Sequence, residues 1–219
     1  MPRVEAVLLD IDGTLVDSND AHAHAWLEAL SEEGVHPQFA DVRRLIGKGG
    51  DKLLPEVSGI DAESERGKAI SGRRSAIFKS KWLPALKPTP GAKELLQALN
   101  ACGLRLAVAS SAKEDELGPL LRVCGATSLV EARTSSDDAD NSKPDPDIVQ
   151  AALGRLKLPP ERVLLLGDTP WDIEAAKKAG VGTVAVRCGG WDDADLKGAL
   201  AVYADPADLL ARLAVSPLA

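Results

Sequence analysis

The residues best suited to chemistry come early in the chain. An apolar run from Val4 to Leu9 delivers Asp10-Ile11-Asp12-Gly13-Thr14-Leu15-Val16-Asp17-Ser18. Two acids two residues apart allow divided labour, one as nucleophile or metal ligand and the other as proton handler. Three further polar groups follow: Ser110-Ser111-Ala112-Lys113, Ser142-Lys143-Pro144-Asp145-Pro146 and Gly167-Asp168-Thr169-Pro170-Trp171-Asp172. Together they offer acids for a divalent cation, a hydroxyl and an ammonium for an oxyanion, and a carboxylate to attack. Phosphoryl transfer asks for little more than neutralised equatorial charge and an in-line nucleophile. Mg²⁺ takes one or two carboxylates and fills its octahedron with water and phosphate. Asp10 and Asp168 are the carboxylates expected to hold it, and the cation lets anionic Asp10 approach an anionic phosphate. Lys143 adds a compact positive charge and Ser110 a hydroxyl donor. Asp12 is placed to protonate the leaving alcohol and later to deprotonate the attacking water.

Each residue also has an ordinary reading. Ser110 alone is a strand-end hydroxyl and Lys143 a solvated loop lysine. Gly167-Asp168 can cap a helix, and Asp172 is an acid in a helix's first turn, where the dipole favours it. Their order along the chain is what makes them a set, because each group follows a predicted strand.

The strands read as short apolar runs: Val4 to Leu9, Leu104 to Ala109, about Leu129 to Ala132, Arg162 to Leu166 and Thr183 to Val186. Helical spacing falls between them, at about 90–101, 113–123, 146–156 and Ile173 to Ala179, with a last helix from Asp205-Pro206 through Leu213. Gly180 suits a left-handed C-terminal cap. Alternating strands and helices imply a parallel sheet with right-handed crossovers, a doubly wound, Rossmann-like α/β core. Ligands bind such sheets outside the carboxyl ends of the strands, where all four polar groups fall. After Ser18 the pattern turns helical, with Ala23, Leu27 and Leu30 in step and Asp17 or Ser18 as N-cap. Residues from about 37 to 82 contain no convincing strand. The expected organisation is a core of residues 1–17 and 86–219 with a helical cap inserted at 18–85, hinged near Asp17-Ser18 and Pro84 to Pro90.

Composition narrows the classes. The 219 residues are 45% hydrophobic and 27% charged, an ordinary soluble balance. A net charge of −7 argues against a general binder of nucleic acid or anionic membrane. Pro2-Arg3 runs straight into the first strand with no signal-peptide pattern, and no apolar stretch is long enough to span a bilayer. Cys102, Cys124 and Cys188 are scattered and odd in number, as reduced structural thiols of a cytoplasmic protein would be. A monomer acting on a small molecule is the expectation.

The four motifs resemble those of the haloacid dehalogenase superfamily, in its phosphatase branch with a helical cap after the first motif. Asp-x-Asp-Gly-Thr-Leu-x-Asp-Ser, Ser110, Lys143-Pro-Asp-Pro and Gly-Asp-Thr-x-x-Asp stand in the family's order from residue 10 to 172. The resemblance implies an aspartyl-phosphate on Asp10, with Asp12 as acid/base. It implies Mg²⁺ held by Asp10, the Asp12 backbone carbonyl and Asp168, with Asp172 supporting the metal site. Ser110 and Lys143 would bind the transferred phosphate, and Thr14 and Ser111 beside these motifs join the substrate-binding set.

Among the superfamily's chemistries, Asp12 favours ester hydrolysis, since dehalogenases and phosphonatases lack a second aspartate there. The nearest alternative is a β-phosphoglucomutase-like mutase, whose cap-hinge histidine His22 matches. Those mutases carry an arginine where this chain has Gly50, and Glu-Asp-Ser where it has Gly167-Asp168-Thr169. A catalytically silent binding module is the remaining alternative, but it predicts damage to Asp10, Asp12, Lys143 or Asp168, and all four are intact. The expected substrate is a small phosphomonoester, of phosphoglycolate or sugar phosphate type. In the cap, Ile46-Gly47-Lys48-Gly49-Gly50 has glycines that permit close approach, and Lys48 is the expected contact to the substrate. His22 is expected near the active site and His24 in surface or cap packing, while Trp171 is expected to pack.

Overall fold

The computed structural model describes residues 3–219; residues 1 and 2, part of the segment assigned above to the core, lie outside the described residues. Six strands form one parallel sheet: β1 (Ala6–Leu9), β2 (Arg105–Ala109), β3 (Ala132–Thr134), β4 (Val163–Gly167), β5 (Gly182–Val186) and β6 (Ala201–Tyr203), in the order β3-β2-β1-β4-β5-β6. The chain leaves β1 toward one edge and returns beside it as β4. That reversal at β1 is the topological switch point where doubly wound sheets bind ligands.

Helices cover both faces, so the central strands are apolar throughout rather than alternating. Val7, Leu9, Leu106, Val108, Leu164 and Leu166 point to one layer, which includes α5 (Ala92–Ala101), α6 (Glu114–Val123) and α9 (Pro206–Ala211). Ala6, Leu8, Ala107, Ala109 and Leu165 point to the other, against α7 (Asp147–Leu156) and α8 (Pro170–Lys178). Register aligns the carboxyl ends of the central strands: Leu9 lies abreast of Val108 and of Leu166. Asp10, Ser110 and Asp168 therefore leave three adjacent strands within two residues of one line.

Between β1 and β2 stand α1 (Asn19–Glu32), α2 (Phe39–Arg43), α3 (Gly50–Ser58) and α4 (Glu65–Ile77), the last continued by a π-helical turn, Phe78–Trp82. Alanines 21, 23, 25 and 29 on α1 are buried with Trp26 and Leu30. Their small side chains let neighbouring helices approach closely. The two connections to the core pair with each other. Asp17 N donates to Lys87 O at 3.0 Å, Thr89 N to Leu15 O at 3.1 Å, and Thr89 Oγ1 to Thr14 O at 2.7 Å.

Several local expectations shift. The third strand lies at Ala132–Thr134, three residues later than its apolar signal, because pairing with Ala107 to Ala109 sets it; Leu129 and Val130 only pack beneath. The sixth strand was not anticipated. Helix α8 begins at Pro170 rather than Ile173, since Thr169 and Asp172 form a reciprocal capping box around Pro170 at the first helical position. Ser18 is the N-cap residue of α1, yet its hydroxyl makes no cap and donates instead to Asp12 Oδ1 at 2.5 Å. All three cysteines are free thiols, and no helix among the described residues is long and apolar enough to cross a membrane.

Candidate active site

The acids after β1 and β4 meet below the cap. Carboxylate oxygens of Asp10, Asp168 and Asp172 all lie within 4.8 Å of one another, and all three residues are buried. Lys143, fully buried, donates from Nζ to Asp10 Oδ1 at 2.6 Å and to Asp172 Oδ1 at 2.7 Å. Asp172 spends its other oxygen on the capping box, accepting from Thr169 N at 3.0 Å and Thr169 Oγ1 at 2.6 Å. It is thus both helix cap and site acid. The Thr14 hydroxyl faces Asp168 Oδ1 at 2.9 Å and Asp10 Oδ2 at 3.2 Å.

Burial and crowding shift these groups strongly. Desolvation, opposed by Lys143 and reinforced by the charges of Asp172 and Asp12, raises the Asp10 carboxyl to about 7. Asp168 is raised well above the ordinary carboxylate range by burial and by the charges of Asp10 and Asp172. Burial pulls the Lys143 pKa down, but the charges of Asp10 and Asp172 outweigh it and hold the ammonium protonated.

The acids fit a hard cation. Buried carboxylates that repel one another to this degree want a countercharge, and Lys143 reaches only two of the three. The backbone is shaped around Asp168: a Cβ on Gly189 or on Gly13 would collide with its Oδ2. Gly13 also has φ +79, a conformation that side chains disfavour. Oxygen ligands of this kind suit Mg²⁺.

Asp12, expected at the metal through its backbone carbonyl, is not among the acids whose carboxylate oxygens gather there. Among the described residues its carbonyl oxygen accepts no backbone hydrogen bond, so it is free for the metal contact that the family resemblance implies. The Asp12 carboxylate is instead oriented from the cap. Its Oδ1 lies 2.8 Å from His22 Nε2 and accepts from Ser18 Oγ. Burial works to raise its pKa, but His22, Ser18 and the charge of Arg74 together hold it below the ordinary value. His22 stacks on Phe78 with ring centres 3.9 Å apart.

Asp10, Asp12, His22, Lys48, Arg74 and Ser111 share the lining of a cavity of about 30 Å³. The cap loop closes it: Ser111 Oγ approaches Gly47 O at 3.4 Å. Lys48 reaches this cavity while its Nζ donates to Glu56 at 2.6 Å and sits 4.1 Å from the Trp171 ring centre. Ser110 is buried, and its hydroxyl accepts from Ala112 N at 3.0 Å, fixing the turn after β2. His24 is exposed and stacks on Trp82, and Trp171 packs edge-on against Trp191.

Asn19 is one of two site residues that sequence reasoning missed. Its Nδ2 donates to Asp168 Oδ2 at 2.9 Å and to Gly189 O at 3.2 Å. The only local signal was a polar residue opening α1 directly after the first motif. Arg74, midway along α4, was passed over as part of a basic segment.

Known proteins share this architecture. Residues 7–186 match the haloacid dehalogenase-like hydrolase family. A phosphoglycolate phosphatase of Rhodospirillum rubrum is 33% identical over 218 residues, covering 95% of this chain and 90% of its own. A phosphorylated carbohydrates phosphatase of Thermotoga maritima is 30% identical, covering 81% of this chain and 82% of its own. Among solved structures, a hydrolase from Pseudomonas syringae aligns with a TM-score of 0.90 at 31% identity, over 96% of this chain and 98% of its own.

Proposed function

The chain belongs to the haloacid dehalogenase-like hydrolases, and from that membership we propose that it is a Mg²⁺-dependent phosphatase of small phosphomonoesters. Relatives named for phosphoglycolate and for phosphorylated carbohydrates support that substrate class. The observation that carries the reading is the division of roles between two acids two residues apart. Asp10 is gripped by Lys143 within the acidic cluster, whereas Asp12 is turned toward His22 and Ser18.

Asp10, Asp168 and the Asp12 carbonyl would hold Mg²⁺, with Asp172 behind them; bound there, it neutralises charge between nucleophile and phosphate. Lys143 keeps Asp10 oriented and adds positive charge beside the incoming phosphoryl group. An Asp10 oxygen attacks phosphorus as the ester P–O bond breaks, and Asp12 gives its proton to the departing alkoxide. His22, Ser18 and Arg74 keep Asp12 ionised on its own, but an anionic phosphate alongside it favours its protonated form. Asp12 then takes a proton from water, whose oxygen attacks phosphorus and frees phosphate and the Asp10 carboxylate.

A cavity of about 30 Å³ is too small for a phosphomonoester, against the roughly 300–1,000 Å³ of ordinary small-molecule sites. Substrate entry therefore requires the cap to lift, and its closure excludes water from the reaction. The paired connections around Asp17 and Lys87 are where the chain would flex.

Gly50 opens α3 beside Trp26, so the position itself carries no cation, and the cap's cations at the cavity are Lys48 and Arg74 instead; the favoured reading stays hydrolase over mutase on the Gly167-Asp168-Thr169 motif. Phosphate release from p-nitrophenyl phosphate tests the proposal. Release should need Mg²⁺, stop with EDTA and be lost in Asp10→Asn. Turnover that survives in Asp10→Asn would remove the nucleophile assignment.

A further inference from the structure

The first turn of α6 is acidic, Glu114-Asp115-Glu116, as a helix N-terminus favours. Glu114 and Asp115 face solvent, but Glu116 is completely buried. A buried carboxylate must be paired and hydrogen-bonded to be tolerated. Both partners of Glu116 come from the cap. Arg74 Nη1 donates to its two oxygens at 2.8 and 2.9 Å, and Ser75 Oγ donates to Oε1 at 2.6 Å. The neighbouring Lys79–Asp115 pair also joins cap to core, but both partners are exposed, so it contributes little.

Arg74 stands at a junction. The catalytic cavity and an adjoining cleft of about 370 Å³ between cap and core share Trp26, Arg74 and Ser111 in their walls. These three residues form a neck, with the acids on one side and room for a leaving group on the other. The Arg74 guanidinium lies 5.4 Å from the Trp26 ring centre and 5.7 Å from that of Phe78. Phe78 in turn stacks on His22, which bonds Asp12. A continuous set of contacts thus runs from the core helix α6, through the cap, back to the catalytic loop. Arg74 Nε is buried without a partner, so Glu116 does not exhaust the guanidinium.

We propose that Glu116 is a positioning residue acting through Arg74: it latches the cap onto the core and so holds the guanidinium at the neck beside the leaving group. With the cap lifted, water reaches Glu116 and Arg74 leaves the neck. With the cap down, the pair is desolvated and each charge depends on the other. The activity arm of the proposal rests on the phosphatase reading; the cap-position arm does not.

Glu116→Gln keeps the shape and an acceptor oxygen while removing the charge. It should lower kcat/KM on p-nitrophenyl phosphate roughly tenfold and enlarge the ligand-free radius of gyration in solution scattering. Asp115→Asn, at the exposed neighbouring pair, should change neither. The double variant R74M/E116L seals the interface with apolar side chains. It should recover the wild-type radius of gyration without recovering kcat/KM, because no guanidinium remains at the neck. Wild-type kcat/KM and scattering in Glu116→Gln would overturn the latch, and so would lost heat stability with both unchanged. Recovery of full kcat/KM in R74M/E116L would overturn the positioning role. If the wild-type protein cleaves no phosphate ester, the phosphatase reading fails; expansion of Glu116→Gln still supports the latch, and an unexpanded variant still overturns it.

Discussion

Asn19 donates from Nδ2 to Asp168 Oδ2 at 2.9 Å, tying the first residue of cap helix α1 to the carboxylate that follows β4. The side chain that starts the cap thus orients an acid proposed to bind the metal. Outer partners of this kind set ligand direction, and losing one typically weakens metal affinity 10–100-fold. Asn19→Ala should therefore raise the Mg²⁺ concentration for half-maximal phosphate release by roughly 10–100-fold. Metal titration of activity measures it; an unchanged midpoint would show that Asn19 serves packing alone.

Lys143 is buried between two carboxylates, so its removal strands both. Lys143→Ala should abolish turnover and cost about 3–5 kcal/mol of stability at neutral pH, as broken buried ion pairs do. Urea unfolding reads the loss. The deficit should shrink in acid, where Asp10 takes up a proton and no longer needs the ammonium.

Stability in EDTA should depend on pH in an unusual direction. Burial pushes the Asp10 carboxyl from its ordinary 3.8 up to about 7 in the folded protein. Its raised value favours folding fully below about pH 4, and that contribution is lost as pH rises toward about 7. Asp168 is shifted in the same sense. Asp12 is lowered, so its contribution is fully present above about pH 4 and is lost only on further acidification, below the window of the other two. With Asp10 and Asp168 both raised, the urea midpoint should fall between about pH 4 and 7 in EDTA. Saturating Mg²⁺ should flatten that slope, since the cation stabilises the ionised acids. A midpoint that rises with pH in EDTA would contradict the desolvation argument.

Lys48 reaches the cavity from a cap loop but already holds Glu56 and covers Trp171. A substrate with a carboxylate or hydroxyls on its leaving group should draw the ammonium away from Glu56. Lys48→Ala should raise KM for such a substrate roughly tenfold, the worth of one charge-assisted contact, and leave an aryl phosphate unaffected. Steady-state kinetics on both substrates decide it, and equal effects would deny Lys48 a recognition role.

The chain alone determined the α/β class and the strand-end positions of Asp10, Ser110 and Asp168. Strands covered on both faces must be continuous apolar runs, and the polar residues that follow them are then conspicuous. That signal is local, so it survives in one dimension. Tertiary structure decided what depends on partners far away in the chain. Strands β3 and β6 are three residues each and exist through pairing with β2 and β5, so their own residues barely announce them. Asp172 read as a supporting acid of the metal site or as a first-turn helix acid; folding makes it half of a capping box and brings Lys143 to the oxygen that the cap leaves over. Asn19 and Glu116 were unremarkable polar residues until folding buried them against Asp168 and Arg74, 149 and 42 positions away. Burial is what turns such residues into constraints: a polar group withdrawn from water must find its partner, and only the folded chain says which one is within reach.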